Sequence, residues 1–286
     1  MTVPMESSGR TALRERLRKG LLGTLMIGAA CLGGGCDSRV GIEGTDWHAD
    51  SGNPAETSAD TQTTTAATTD GVGAVPGQPE AAVAVARWAA DLRGRGLDEI
   101  ADRCWTMAPR NVRSMYADPQ PILDALAGAG AHSGTTAVWQ NAAVTVTAQD
   151  RDIATGYACP HVVPTGGEGG FNDADARHTV RRFLSRSTGK PLDPADREDA
   201  FPLVCAAGRT WDPEGTGKPA NVPLAVNPSK PGTVKTFVDE SIKSEWPRGG
   251  YITVSVPVTT GTGNQTKQIY TLKSGSEGYC IGDVSG

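Results

Sequence analysis

The 286 residues carry a formal charge of −5 and are 38% hydrophobic and 21% charged. That is enough apolar material for one substantial core or two small ones, and too little positive charge for the basic footprint of a nucleic-acid binder. The charge is also uneven: residues 37–80 hold eight acids against Arg39 alone, whereas from Ala81 onward 22 acids face 21 bases.

Residues 10–36 set Arg10, Arg14, Arg16, Arg18 and Lys19 against the single acid Glu15, then run through a short apolar stretch, 21–32, into small residues and cysteine. Basic, apolar, small is the order of a secretory signal. The apolar run is shorter than the roughly 20 residues a helix needs to cross a bilayer. Its end, Leu32-Gly33-Gly34-Gly35-Cys36, resembles a bacterial lipoprotein signal, in which a cysteine becomes the acylated first residue of the mature chain. The resemblance implies a palmitate-bearing anchor at Cys36, with Cys31, after Ile27-Gly28-Ala29-Ala30, as the alternative. Both cysteines have glycine three places earlier, where that family carries an aliphatic residue. Cys36 is favoured because it leaves the fuller apolar run and opens into Asp37-Ser38. An ordinary cut after Gly28-Ala29-Ala30 would instead release the chain.

Residues 37–80, rich in Thr, Ala and Asp, have too few large apolar groups to offset the entropy of ordering, so a disordered tether is expected there. The chain from 81 to 286 is expected to form one folded domain. Val85, Trp88, Ala89 and Leu92 recur at helical spacing, and Leu97, Ile100, Ala101 and Cys104 repeat it after Gly94 and Gly96. Asp118-Pro119 starts a further helix, with Ile122, Leu123 and Leu126 on its buried side. From Thr135 the period changes to two, through Val138, Val144 and Val146, and Tyr157 to Pro160 stays extended. Asn172 or Asp173 caps a helix that runs to Thr188, with Gly189 beyond it and Ala176, Val180, Phe183, Leu184 and Ser187 inward. Residues 164–232 otherwise read as a Gly/Pro-rich insertion, with a short strand at 201–205. Residues 234–242 are expected to be helical. Three strands, 251–260, 265–273 and 279–284, close the chain as a meander.

The fold class is therefore α+β: N-terminal helices packed on a curved antiparallel sheet that ends in a C-terminal three-stranded meander. That element order resembles the cone-shaped domains of the nuclear-transport-factor-like kind. The excess of Arg over Lys, 19 to 8, resembles actinobacterial usage.

Cys104, Cys159, Cys205 and Cys280 form an even set in an exported chain, so two disulfides are expected. Three pairings are possible. Cys104–Cys280 with Cys159–Cys205 is preferred, since Cys280 in the last strand could pin sheet to helix. No CxxC, HExxH or GxSxG occurs, and no SxxK stands in a setting for acyl transfer. His48, His132, His161 and His178 are isolated along the chain. The glycine loops at 166–170 and 215–218 lack what a phosphate cradle needs, the first for its flanking acids and the second for Pro219. No catalytic residue, metal or cofactor is assigned.

Arg177, Arg181 and Arg186 share one side of the 172–188 helix. They read either as a solvated face, with Asp173 pairing Arg177 at i,i+4, or as a contact for anionic headgroups or an acidic partner. The function expected is a lipid-anchored extracytoplasmic, non-catalytic binding module at the outer face of the cell membrane. Its partners would be the membrane, through the lipid, and an envelope protein or small ligand. The alternatives are an accessory subunit of a conjugation or secretion machine, and an exported hydrolase whose cleft holds a histidine near a serine or carboxylate.

Overall fold

The computed structural model describes residues 68–167, 170–246 and 249–286. The signal segment, Cys31, Cys36, His48 and the tether up to residue 67 lie outside the described residues. The mixed α+β class holds, with seven α-helices and three antiparallel sheets among the described residues.

A small hairpin, β1 (Thr68–Thr69) and β2 (Val72–Gly73), comes first. The folded part thus begins before Ala81, with Val72 and Val75 buried in its core. Helix α1 (Pro79–Gly94) buries Val85, Trp88, Ala89 and Leu92 as their spacing requires. Next come α2 (Leu97–Arg103), α3 (Pro109–Met115) and α4 (Pro119–Leu126). The four-stranded sheet that follows has the order β3-β4-β5-β6, from β3 (Ala131–Ser133), β4 (Thr136–Gln140), β5 (Val144–Gln149) and β6 (His161–Pro164). A single turn, α5 (Asp150–Ile153), separates the last two. Trp88 meets Tyr116 edge to face at 4.8 Å, and the Tyr116 hydroxyl donates to the Pro160 carbonyl at 2.6 Å.

A second hydrophobic core begins beyond β6. Helix α6 (Asp173–Ser187) is followed by α7 (Pro223–Val226), β7 (Val234–Phe237), a 3-10 turn and β8 (Lys243–Glu245). The meander β9 (Tyr251–Thr260), β10 (Gln265–Gly275) and β11 (Gly278–Ser285) completes the chain. Ala176, Val180 and Leu184 of α6 cluster with Ile252, Val254, Val256, Tyr270, Leu272 and Ile281 of the meander. Residues 164–232 are therefore more than an insertion, because they supply the helix that covers the second sheet.

Residues 234–237 are strand, not helix. Val234, Phe237, Val238 and Ile242 do stand at helical spacing, but Val238 is 58% exposed and the stretch is drawn into a strand by the sheet beside it. An unpaired edge of β9 would leave backbone donors and acceptors open. β8 pairs with residues 253–255 of that edge and β7 with 258–260. Ser187, expected inward, is exposed, and the buried face of α6 instead takes in His178, Thr179 and Arg182.

The cysteine pairing also differs from expectation. Cys104 bonds Cys159, and Cys205 bonds Cys280. Each bridge closes one core because each core is built from a continuous stretch of chain, with Cys104 and Cys159 in the first cluster and Cys205 and Cys280 in a small cluster with Trp211, Val222 and Tyr251. Residues 201–205 run extended, and Val204 forms a parallel bridge with Ile281 that brings Cys205 beside Cys280. Two disulfides fit an oxidising compartment. No helix among the described residues is long and apolar enough to cross a membrane.

Candidate functional site

The two cores meet along a seam, and a cleft of about 550 Å³ opens on it. The first half contributes Thr106, Met107, Arg151 and His161; the second contributes Phe171, Asp175, His178, Thr179 and Arg182 of the α6 region, residues 202–206, and the turn 275–278 with Tyr279 and Cys280. Helix α6 sets most of these positions. Asn172 caps it by accepting from the Ala174 and Asp175 amides, and the Asp175 carboxylate returns the bond from the Asn172 amide at 3.0 Å, a capping box. Asn111 of α3 donates to the other Asp175 oxygen at 2.7 Å and exchanges side-chain bonds of 3.1 Å with Asn172. This network fixes Asp175 at the cleft.

One turn further, His178 sits buried with Nε2 at 2.8 Å from the Trp105 carbonyl, so Nε2 is the protonated nitrogen. Burial lowers its pKa to about 3, which keeps the imidazole neutral. Arg182 is buried and lies 5.0 Å above the Trp105 ring. It holds the wholly buried Asp196 through Nη2 at 2.6 Å and Nε at 3.2 Å. Across the seam Arg151 donates to the Glu277 carboxylate at 3.1 Å and to its carbonyl at 2.9 Å, while its buried Nε has no protein partner.

At the aromatic end of the cleft, His161 lies 5.5 Å from Phe171, and Phe171 lies 6.5 Å from Tyr279, centroid to centroid. The Tyr279 hydroxyl donates to the Phe171 carbonyl at 3.2 Å. Burial depresses the His161 pKa against the pull of Asp175, so this ring too favours the neutral form. Burial raises the Asp175 carboxyl, and burial with the nearby Asp175 and Asp173 charges lifts the Tyr279 hydroxyl to about 12. Asp175 is thus electrostatically close to both His161 and Tyr279. Among the described residues no hydroxyl or thiol nucleophile is hydrogen-bonded to either cleft histidine, and no group of three potential metal ligands converges. The cleft thus has an aromatic end and walls of apolar and fixed polar groups.

The three arginines singled out on α6 are not brought together. Arg177 and Arg181 line a neighbouring, smaller groove of about 290 Å³ that shares His178 with the cleft. Arg177 pairs with Asp173 at 2.5 Å, the i,i+4 contact expected from sequence, and Arg181 with Asp239 at 2.7 Å. Arg186 faces elsewhere, bonding Asp196, Glu198 and the Phe201 carbonyl. His132 pairs with Asp150 at 3.0 Å, away from the cleft. Sequence reasoning missed the cleft because its walls come from segments far apart in the chain. The one local signal was Asp175 three residues after an asparagine cap. Comparisons with protein-family models, curated proteins and solved structures find no match to this chain.

Proposed function

We propose that this protein is a lipid-anchored extracytoplasmic domain that works as a non-catalytic binding module at the cell envelope, with the seam cleft as its binding site. The observation that carries this reading is the cleft itself. It is a space of about 550 Å³ that both halves line, mostly with apolar and aromatic groups and a few fixed polar ones. The two disulfides support an oxidising address, and the basic-apolar-cysteine order of residues 10–36 supports export and acylation at Cys36.

Two measurements test the two parts of the reading. Cells grown with labelled palmitate are expected to incorporate label into this polypeptide, and Cys36→Ser is expected to abolish it; an unlabelled wild-type chain removes the anchor. A thermal-shift screen with neutral, cationic and anionic small molecules is expected to find at least one that stabilises the wild type but not Met107→Trp, which fills the cleft. Equal shifts in both proteins would move binding elsewhere.

The alternative with a specific observation behind it is an exported hydrolase, since His161 and the Asp175 carboxylate share the cleft. It requires a nucleophile in place beside them. Turnover of a chromogenic ester by wild type, lost in His161→Ala, would favour it over the binding module.

A further inference from the structure

The cleft's charges do not cancel. Arg151 is paired with Glu277 and Arg182 with Asp196, so both guanidinium charges on the wall are matched, the Arg151 Nε alone lacking a protein acceptor. Asp175 differs: both of its oxygens accept only from neutral donors, the Asn111 side chain and the Asn172 amide. No lysine or arginine among the described residues pairs with it, and the neighbouring imidazole of His161 is held towards its neutral form. The carboxylate lines the same cleft as the rings of His161, Phe171 and Tyr279, and its charge acts on His161 and Tyr279. A half-buried negative charge in a cleft that also holds aromatic rings is the complement of an organic cation, which is drawn both to the carboxylate and to the ring quadrupoles. The capping box and the positive end of α6 explain why an acid is tolerated at this position. They do not explain why three aromatic rings share its cleft.

We infer that the aromatic end of the cleft binds an organic ammonium group, alkylated rather than bare, between Asp175 and the rings of Phe171 and Tyr279, with any apolar remainder lying along Met107 and Leu203. This assignment rests on the reading of the cleft as a binding site and supplies its ligand class. Alkylation follows from the walls: methyl groups on nitrogen pack against aromatic faces, whereas a bare ammonium needs three acceptors, and Asp175 has two oxygens already bonded.

Isothermal titration of the purified full-length chain with three molecules of one shape tests this. Choline carries the charge, 3,3-dimethylbutan-1-ol is its neutral isostere, and 3,3-dimethylbutanoate is an anion of similar bulk. Choline is expected to bind at least tenfold more tightly than either. Asp175→Asn is expected to weaken choline at least tenfold, and Phe171→Leu or Tyr279→Leu several-fold, with the fold of each variant checked by its thermal transition. If Asp175→Asn does not fold, the two ring variants and the isostere ratio still decide. Glycerophosphocholine in the same titration separates two sources of the cation: tighter binding than choline points to a phospholipid headgroup, weaker binding to a free amine. Equal or tighter binding of the alcohol or the acid would overturn the cation while leaving a binding cleft in place. Absence of binding by all three would also overturn it, and the thermal-shift comparison with Met107→Trp would then judge the parent reading separately.

Discussion

At the scale of single residues, two buried carboxyls behave in opposite ways. Asp196 is wholly buried and receives both Arg182 and Arg186. Removing it would leave two guanidinium groups without their shared anion, so Asp196→Ala should cost about 3–5 kcal/mol, read as a lower urea midpoint at unchanged slope. Asp152 has no such pairing. Burial lifts its carboxyl to about 6, with Arg151 and Arg182 pulling down and Glu277 pushing up. An acid whose folded pKa is raised holds its proton more tightly folded than unfolded. Its cost is therefore absent below the unfolded value near 3.9 and complete above about 6, an amount of roughly 3 kcal/mol. Asp152→Asn should accordingly be more stable than wild type at pH 7.5, with the advantage vanishing towards pH 4. A difference that does not change with pH would contradict the assignment. Neither carboxyl could be singled out from sequence. Asp152 lies within a one-turn helix and Asp196 in a loop, and only their burial in the fold distinguishes them from the chain's other acids.

At the scale of elements, legibility followed periodicity. The meander was readable because Ile252, Val254, Val256 and Val258 alternate and all turn inward, and turn residues bracket them. Helices α1 and α6 were readable from apolar spacing, and α6 also from Asn172 and Gly189 at its ends. Helix α3 and strand β3 were not anticipated, since Val112 is the one large aliphatic buried on α3 and all three residues of β3 are exposed. Residues 234–237 misled for a different reason: their state is set by the open edge of β9, a long-range demand that no local pattern expresses. The disulfides failed in the same manner. Non-reducing peptide mapping should recover Cys104 linked to Cys159 and Cys205 linked to Cys280. Replacing Cys205 and Cys280 by serine should cost about 4 kcal/mol, from the entropy of a loop of 75 residues, in a denaturant melt. Recovery of a Cys104–Cys280 peptide would contradict the two-core arrangement.

At the scale of the molecule, the functional reading depends on how the halves share one cleft. Few bonds join them: Arg151 and Thr135 reach Glu277, Asn111 reaches the α6 cap, and the Trp105 carbonyl receives His178. Those few directed bonds, with Trp105 packed edge to face on Phe201 at 4.8 Å, set the cleft walls. Little of this could be read along the chain, because, His161 and Phe171 apart, the residues that meet across the seam are 60 or more positions from one another in sequence. The candidate site was for that reason invisible, although the class of fold was not.

The chain passes from β6 to α6 once, and neither sulfur bridge spans that passage. A protease that severs one peptide bond within residues 165–171 would therefore leave two internally cross-linked pieces joined only by non-covalent contacts across the seam. Denaturing electrophoresis without reductant should resolve them as two bands, whereas a cut between Cys205 and Cys280 should leave one. The molecule's two cores would then be separable by a single nick, each keeping its own loop sealed.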